Sequence, residues 1–419
     1  MTAQEAAVAA EQVARRSYGK LVAILAARTR DVAGAEDALA EAFASALAEW
    51  PARGVPHAPE GWLLTVARRR MVDAVRMRLH DEAAAAQLSI LSDIDESEEG
   101  WLPDRRLGLL FACAHPGIDP AVRAPLMLQV VLGFDAAAIG SAFLVAPAAM
   151  SQRLVRAKAK IRHAGIPLEE PAPREMPDRL DAVLAAIYAA YTEGWIDAGG
   201  TDPHRRNLSD EALWLARLTV ALLPAEPEAL GLLSLLLHTH ARRHARRDAG
   251  GRYVQLAEQS MASWDDAMID EAEALLRQAS TAGRPGRYQL EAAIQSAHAA
   301  RRRGHPTDWA GIVRLYDGLL GMTQSPVTAI NRAVALANAT DARTGLRALE
   351  EVAGDKRLGD YQPYWAARAD LLARCGEARE AMQAYQRAIG LEQDPAVRDF
   401  LLQRAGKLKC GRTTTTGAS

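Results

Sequence analysis

The segment FDAAAIGSAFLVAPAAMSQRLVRAKAKIR, Phe134 to Arg162, carries two helical periods with almost nothing between them. Asp135 is a good N-cap for the first, and Ala138, Ile139, Ala142 and Phe143 give it one inward face. Pro147 sits near the first turn of the second helix, where a missing N–H costs little. In that second helix Met150, Leu154, Ala157 and Ile161 share one face. Gln152, Arg153, Arg156, Lys158 and Lys160 are left outside. A short helix, a tight turn and a basic second helix form a helix-turn-helix, with the second helix sized for a major groove. Many helical hairpins share that outline, so the rest of the chain has to be read with it.

The rest is helical too. Almost every periodic segment repeats at helical spacing, and no convincing alternating strand is found. Helices are expected over about Glu5–Arg28, Val32–Trp50 and Glu60–Leu79, the second broken by the loop PARGVPHAP, Pro51 to Pro59. Roughly a fifth of the 419 residues are alanine, which favours helix. The expected organisation is a first helical domain over 1–80, an acidic linker over 81–102 and a helix-turn-helix domain over 103–166. A proline-rich linker over 167–177 follows, PLEEPAPREMP, whose prolines block helix propagation. A run of helices over 178–406 then leads to a polar, disordered tail over 407–419.

Composition excludes several classes. No apolar run approaches the roughly 20 residues needed to cross a bilayer. The opening MTAQEAAVAAEQVARR places acid before base and lacks the apolar stretch of a signal peptide. Cys113, Cys375 and Cys410 lie far apart, against a disulfide framework or a C-x-x-C metal site and consistent with a reducing cytoplasm. The net charge of −2 hides strong segregation. Trp62 to His80 holds five arginines and one acid, Asp73; Asp81 to Glu99 holds seven acids and no Lys or Arg; Ala136 to Leu168 holds five Lys and Arg and no acid. Two basic blocks around an acidic stretch describe two small polyanion-binding domains on a tether. A pair of solvated helix faces would give the same runs.

Near the C-terminus, Trp365, Ala369, Leu372, Gly376, Ala381, Tyr385 and Ala388 follow the tetratricopeptide pattern, in which small residues let paired helices approach and aromatic residues fill the gap to the next pair. Its proline is displaced to Pro395, and Pro326–Ala353 and Asp308–Leu320 suggest looser copies.

With these segments in order, the chain resembles the extracytoplasmic-function (group 4) sigma factors of the sigma-70 family, in the subgroup with a long tetratricopeptide-like extension. AEDALAEAF, Ala35 to Phe43, resembles the helix that grips the clamp helices of RNA polymerase. GWLLTVARRRMVDAVR, Gly61 to Arg76, resembles the helix beneath the melted promoter strand, and Ser151 to Arg162 the region that reads the upstream promoter element. LLFACAHP, Leu109 to Pro116, and YTEGW, Tyr191 to Trp195, belong to the same likeness. The family usually has glutamine at the position of Ala40, and a cysteine pair where this chain has Cys113–Ala114, which argues against a redox or zinc role there.

The resemblance implies an all-α fold: two small helical sigma domains, the second a helix-turn-helix, joined by an acidic linker and followed by helical hairpins. It implies core RNA polymerase and promoter DNA as partners, in the cytoplasm, with no membrane, cofactor, metal or catalytic residue. Polymerase contact is expected from Asp37, Leu39, Glu41 and Phe43. The downstream element would be met by Val55, Pro56 and His57 in the loop and by Trp62, Arg68, Arg69, Arg70 and Arg76 on the helix. Each phosphate neutralised there releases counterion, so binding should weaken with salt. Flipped bases need stacking and edge contacts, which Trp62 could supply, although the first aromatic of an amphipathic helix is more often core. Arg69 and Arg70 cannot both face inward. The upstream element would be met by Pro147, Ser151, Gln152, Arg153, Arg156, Lys158 and Lys160, with Gln152 and Arg153 near base edges and the others setting register.

The extension carries no nucleic-acid or substrate signal, and stacked helix pairs offer a concave surface for a protein partner or for the chain's own sigma domains. His238, His240 and His244, among Arg242, Arg243, Arg246 and Arg247, read as a solvated helix end rather than a metal site. The competing reading is a helix-turn-helix regulator with a tetratricopeptide-like sensor, which would need no polymerase-gripping face. A helical enzyme has little support, since no nucleophile–base pair, metal cluster or phosphate loop is present.

Overall fold

The computed structural model describes residues 2–78, 104–143, 145–196 and 208–413. The acidic linker expected over 81–102 lies outside the described residues, as do 414–419. Among the described residues the regular elements are helices, apart from one isolated bridge between Arg247 and Tyr253.

Local chemistry sets the first helices. Helix α1, Ala3–Thr29, opens on a capping box: the Glu5 N–H donates to Thr2 Oγ1 at 3.2 Å and the Thr2 N–H donates back to Glu5 Oε2 at 2.7 Å. It stops at Arg30, in the left-handed region with φ 55°. Asp31 then accepts the Gly34 N–H at 3.0 Å and starts α2, Val32–Arg53. The break expected at Pro51 does not occur there. Pro51 falls in the last turn, where few hydrogen bonds remain to be lost, and the helix runs on to Gly54. Helix α3, Pro59–Arg78, follows the short loop.

Helices α4 (Arg106–Cys113), α5 (Pro120–Leu132), α6 (Ala136–Ala142) and α7 (Pro147–His163) make the helix-turn-helix body. Asp135 accepts the Ala138 N–H at 2.7 Å, as its place before α6 predicts. Gly140 is required by the turn, because a Cβ there would sit 2.7 Å from the Val145 carbonyl oxygen. Helix α8, Met176–Ile196, packs on α4 and α5.

The chain divides into two compact units, the first running to Ile196 and resuming to Leu215, the second from Ala216 on. The boundary expected at 167–177 is therefore not where the units part. That segment and α8 belong to the first unit, since Leu168 is buried and the buried Arg179 guanidinium donates to the Phe111 carbonyl at 2.7 Å. The division falls within α9, Leu208–Leu222. Within the first unit α1 packs on α4 and α5, and α2 on α7.

In the second unit α10, Pro227–His240, is apolar almost all round and lies between α11 (Asp266–Ser280) and α12 (Arg287–Ala299). Hairpins follow: α13 (Trp309–Thr323) with α14 (Pro326–Ala339), α15 (Ala342–Glu350) on α14, and α16 (Gln362–Arg374) with α17 (Ala378–Leu391). Ala369, Leu372, Ala381, Tyr385 and Ala388 are buried in one core, as their spacing predicts. The last helix, α18, Pro395–Thr413, contains residues 407–413, which the sequence placed in a disordered tail. It ties back to the stretch after α10: Asp394 pairs with Arg247 at 2.5 Å, Arg404 donates to Gln255 at 2.8 Å, and Phe400 meets Tyr253 edge-on at 5.4 Å.

Candidate nucleic-acid interface

Helix α2 divides cleanly between core and surface. Val32, Ala35, Ala38, Leu39, Ala42, Ala46 and Trp50 are buried against its neighbours. Asp37, Ala40, Glu41, Ala44, Leu47 and Ala48 form the exposed stripe at helical spacing, with Leu47 49% exposed. Small side chains there let another helix approach, an apolar Leu offers burial, and two carboxylates offer pairing. Of the four expected contacts, Asp37 and Glu41 lie on this face and Phe43 is half-buried on its flank. Leu39 is not a contact: it is 0% exposed and holds the helix to the core. Ala44 and Leu47 share this stripe without being among the expected contacts, although stepping three and four residues from Asp37 and Glu41 reaches each of them.

The loop from Gly54 to Ala58 presents His57 to solvent, with Val55 and Pro56 half-buried. Trp62 is half-buried and meets the buried Trp50 edge-on at 5.7 Å, so it braces the loop from below while keeping part of its ring accessible. Leu63, Leu64, Ala67 and Met71 form the inner face of α3. Arg69 and Arg70 both point outward, and Arg70 Nε lies 3.3 Å from Glu41 Oε2 on the α2 stripe. Arg68 is half-buried, and burial lowers its guanidinium pKa. Arg76 is on α3, its side chain outside those described.

On α7, Met150, Leu154, Ala157 and Ile161 are buried as the periodicity requires. Pro147, Ser151, Gln152, Arg153, Arg156 and Lys160 are exposed. Arg156 Nη2 reaches Gln152 Oε1 at 3.3 Å, one turn back. Arg153, Arg156 and Lys160 rim a hollow of about 210 Å³ whose other wall includes Gly117, Ile118 and Val122. Asp119 also lines the hollow, and burial holds the His115 imidazole below its usual pKa, with Arg179, Arg123 and Lys160 adding to that and Glu175 opposing it. Lys158 departs from the set. Its ammonium is 2.6 Å from Glu36 Oε2, and the side chains are 12% and 11% exposed. Six of the seven expected upstream-element residues are thus exposed on α7, and the seventh is withdrawn.

Residues 13–79, which span most of α1 and all of α2 and α3, match the model of sigma-70 region 2. The chain belongs to the sigma-70 family. Residues 179–280 of this sigma factor match a family of unknown function (DUF6596). An uncharacterized protein of Rhizobium meliloti (strain 1021) is 40% identical over 366 residues, covering 85% of this chain and 86% of that one. No solved structure matches.

A sigma factor is not an enzyme; it serves transcription initiation with core RNA polymerase and promoter DNA. Among the described residues no group of three or more His, Cys, Asp or Glu side chains is placed to hold a metal. No described helix is long and apolar enough to cross a membrane. The histidines after Leu237 correct the sequence reading, because His238 and His240 are buried rather than solvated. Helix α10 is central to its unit, so its end is covered too. His238 Nε2 lies 3.6 Å from Glu273 Oε1, which accepts the Ser296 hydroxyl at 2.6 Å. Burial, with Arg242 and Arg302 nearby, pushes His238 down to about 3, so it is neutral.

Proposed function

We propose that this sigma factor is of the extracytoplasmic-function (group 4) type, acts in the cytoplasm and directs core polymerase to a small set of promoters. The observation that carries this reading is the α2 stripe of Asp37, Ala40, Glu41, Ala44 and Leu47, beside a basic α3, within the segment that matches sigma-70 region 2. The stripe seats on the polymerase. The loop Val55–His57 and the outward Arg69 and Arg70 take the melted strand, with Trp62 bracing the loop. The exposed face of α7 reads the upstream element, its basic rim setting phosphate register.

The second unit modulates this activity through its helical hairpins, which we read as tetratricopeptide-like and as a surface for a protein partner or for the sigma domains. Support for that part is the buried small-and-aromatic pattern of α16 and α17. Run-off transcription with purified core enzyme tests the reading. Promoter-specific transcripts from native upstream regions are expected, and their absence from every target refutes it. A core-polymerase pull-down separates it from a plain helix-turn-helix regulator, which would bind duplex DNA and leave polymerase behind.

A further inference from the structure

The buried residues of α7, Met150, Leu154, Ala157 and Ile161, fix which side chains stand furthest from the core. At about 3.6 residues per turn, the line opposite them passes through Ala148, Gln152, Val155 and Ala159. Ala148, Gln152 and Val155 are exposed, and Ala159 is half-buried. Arg153, Arg156 and Lys160 stand exposed to one side of this line, whereas Lys158 and Arg162 lie to the other. The line itself is uncharged. Gln152 is its hydrogen-bonding member, the two alanines are short enough to let a groove floor approach, and Val155 is its apolar bulk. Val155 is 58% exposed, the highest value among the exposed large apolar side chains of the described residues.

A lone exposed apolar side chain is ordinary on a protein surface and by itself signals nothing. Val155 differs in where it stands. A β-branched residue is a poorer helix former than the glutamine, arginines and alanines around it, and at this exposure little packing offsets that cost. On a helix laid in a major groove, the uncharged line faces the base edges while flanking cations reach phosphates. Valine has no side-chain donor or acceptor, so it cannot tell bases apart by hydrogen bonding. The base-edge group that it favours is apolar, the C5-methyl of thymine. We propose that Val155 is a specificity-determining residue for the upstream element, packing its methyl groups on the C5-methyl of one thymine. The proposal deepens the reading of α7 as the upstream-element helix and rests on it. Gln152, one turn earlier on the same line, meets a different base pair through its amide, so the two side chains supply two independent kinds of discrimination.

Replacing thymine by deoxyuridine removes that methyl and leaves every base-pairing group in place. The probe is a native promoter that gives a run-off transcript, synthesised with each thymine of either strand upstream of the melted segment replaced in turn. Affinity of the holoenzyme built with the full chain is measured by competition. One position is expected to lose about three- to fourfold, the contribution of one buried methyl group. Val155→Ala is expected to be insensitive at that position, and Val155→Ile to keep the sensitivity. Val8→Ala, which trims another exposed valine, on α1, should respond to deoxyuridine as the unaltered chain does. Each variant is compared with itself on thymine and on deoxyuridine, so a change in folding or polymerase affinity cancels. A promoter with no uracil-sensitive position overturns the assignment, and so does sensitivity that persists in Val155→Ala. The base pair at which Gln152→Ala relaxes discrimination should keep its preference in Val155→Ala. Loss at both places would mean that Val155 only seats the helix, and overturns the assignment as well. Failure of the sigma-factor reading shows separately, as absence of a run-off transcript from every native region, and the assignment falls with it.

Discussion

Arg179 Nη2 donates a 2.7 Å hydrogen bond to the carbonyl of Phe111, joining the first helix after the proline-rich segment to the first helix of the helix-turn-helix body. Both residues are buried, and a hydrogen bond from a charged donor in such a place contributes about 1.5–3 kcal/mol. Arg179→Met is therefore expected to lower the melting temperature of the first unit measurably, read by calorimetry. Truncation after Pro177 removes all of α8 but its first two residues and uncovers α4 and α5. Run-off activity should be lost, whereas an inhibitory lid would give increased activity on the same cut.

The two sides of α2 separate binding from stability. Leu47→Asp changes an exposed side chain, so the melting temperature should hold while core-polymerase affinity falls about tenfold or more, by loss of a desolvated apolar contact. Leu39→Ala acts the other way, costing about 2–5 kcal/mol of stability through an internal cavity. Titrating each variant in a polymerase-binding assay and a thermal melt distinguishes the two. Ala40→Gln, which adds the side chain usual in the family on the same exposed stripe, should raise polymerase affinity.

Salt dependence sorts the residues of α7. In a holoenzyme–promoter assay, Arg156→Gln should lower the slope of log affinity against log salt by about one if Arg156 meets a phosphate. Gln152→Ala should leave the slope alone and relax discrimination at one base pair, a cost of about 1–3 kcal/mol at that base pair. A changed slope with Gln152→Ala would exchange their roles.

Acid should weaken the second unit through buried histidines. His238 is pushed down to about 3 and His298 to about 4, both mainly by burial, against about 6.5 in an unfolded chain. Between pH 6.5 and 4 the unfolded state binds more protons than the folded one, so stability rises with pH across that window and falls on acidification. Each histidine contributes up to about 1.4 kcal/mol per pH unit. Denaturant melts over this range should show a shallower dependence for His238→Leu, by about one proton.

Much of this was legible in the sequence because burial in a helix has a fixed period. Met150, Leu154, Ala157 and Ile161 were placed on one face by spacing alone, and Ala369, Leu372, Ala381, Tyr385 and Ala388 were placed between paired helices by the tetratricopeptide pattern. What periodicity does not carry is which other element covers a residue. Lys158 and Lys160 look alike along α7, yet only Lys158 meets a carboxylate, supplied by Glu36 from far away in the chain. His238 and His240 looked solvated beside four arginines, and are buried because α11 and α12 enclose their helix. Leu39 was misread for the opposite reason: motif likeness was followed where the period of α2 already placed it inside. Proline composition marked 167–177 as a boundary, but Leu168 and Arg179 pack it into the first unit.

The return of α18 onto the stretch after α10 gives the second unit a closed rather than an open-ended order. Asp394 and Arg404 find partners near residue 250, so α18 folds back on an early part of its own unit. During synthesis those partners leave the ribosome well before α18 does. The ties between α18 and the stretch after α10 thus form only once α18 has emerged, later than α2, α3 and α7.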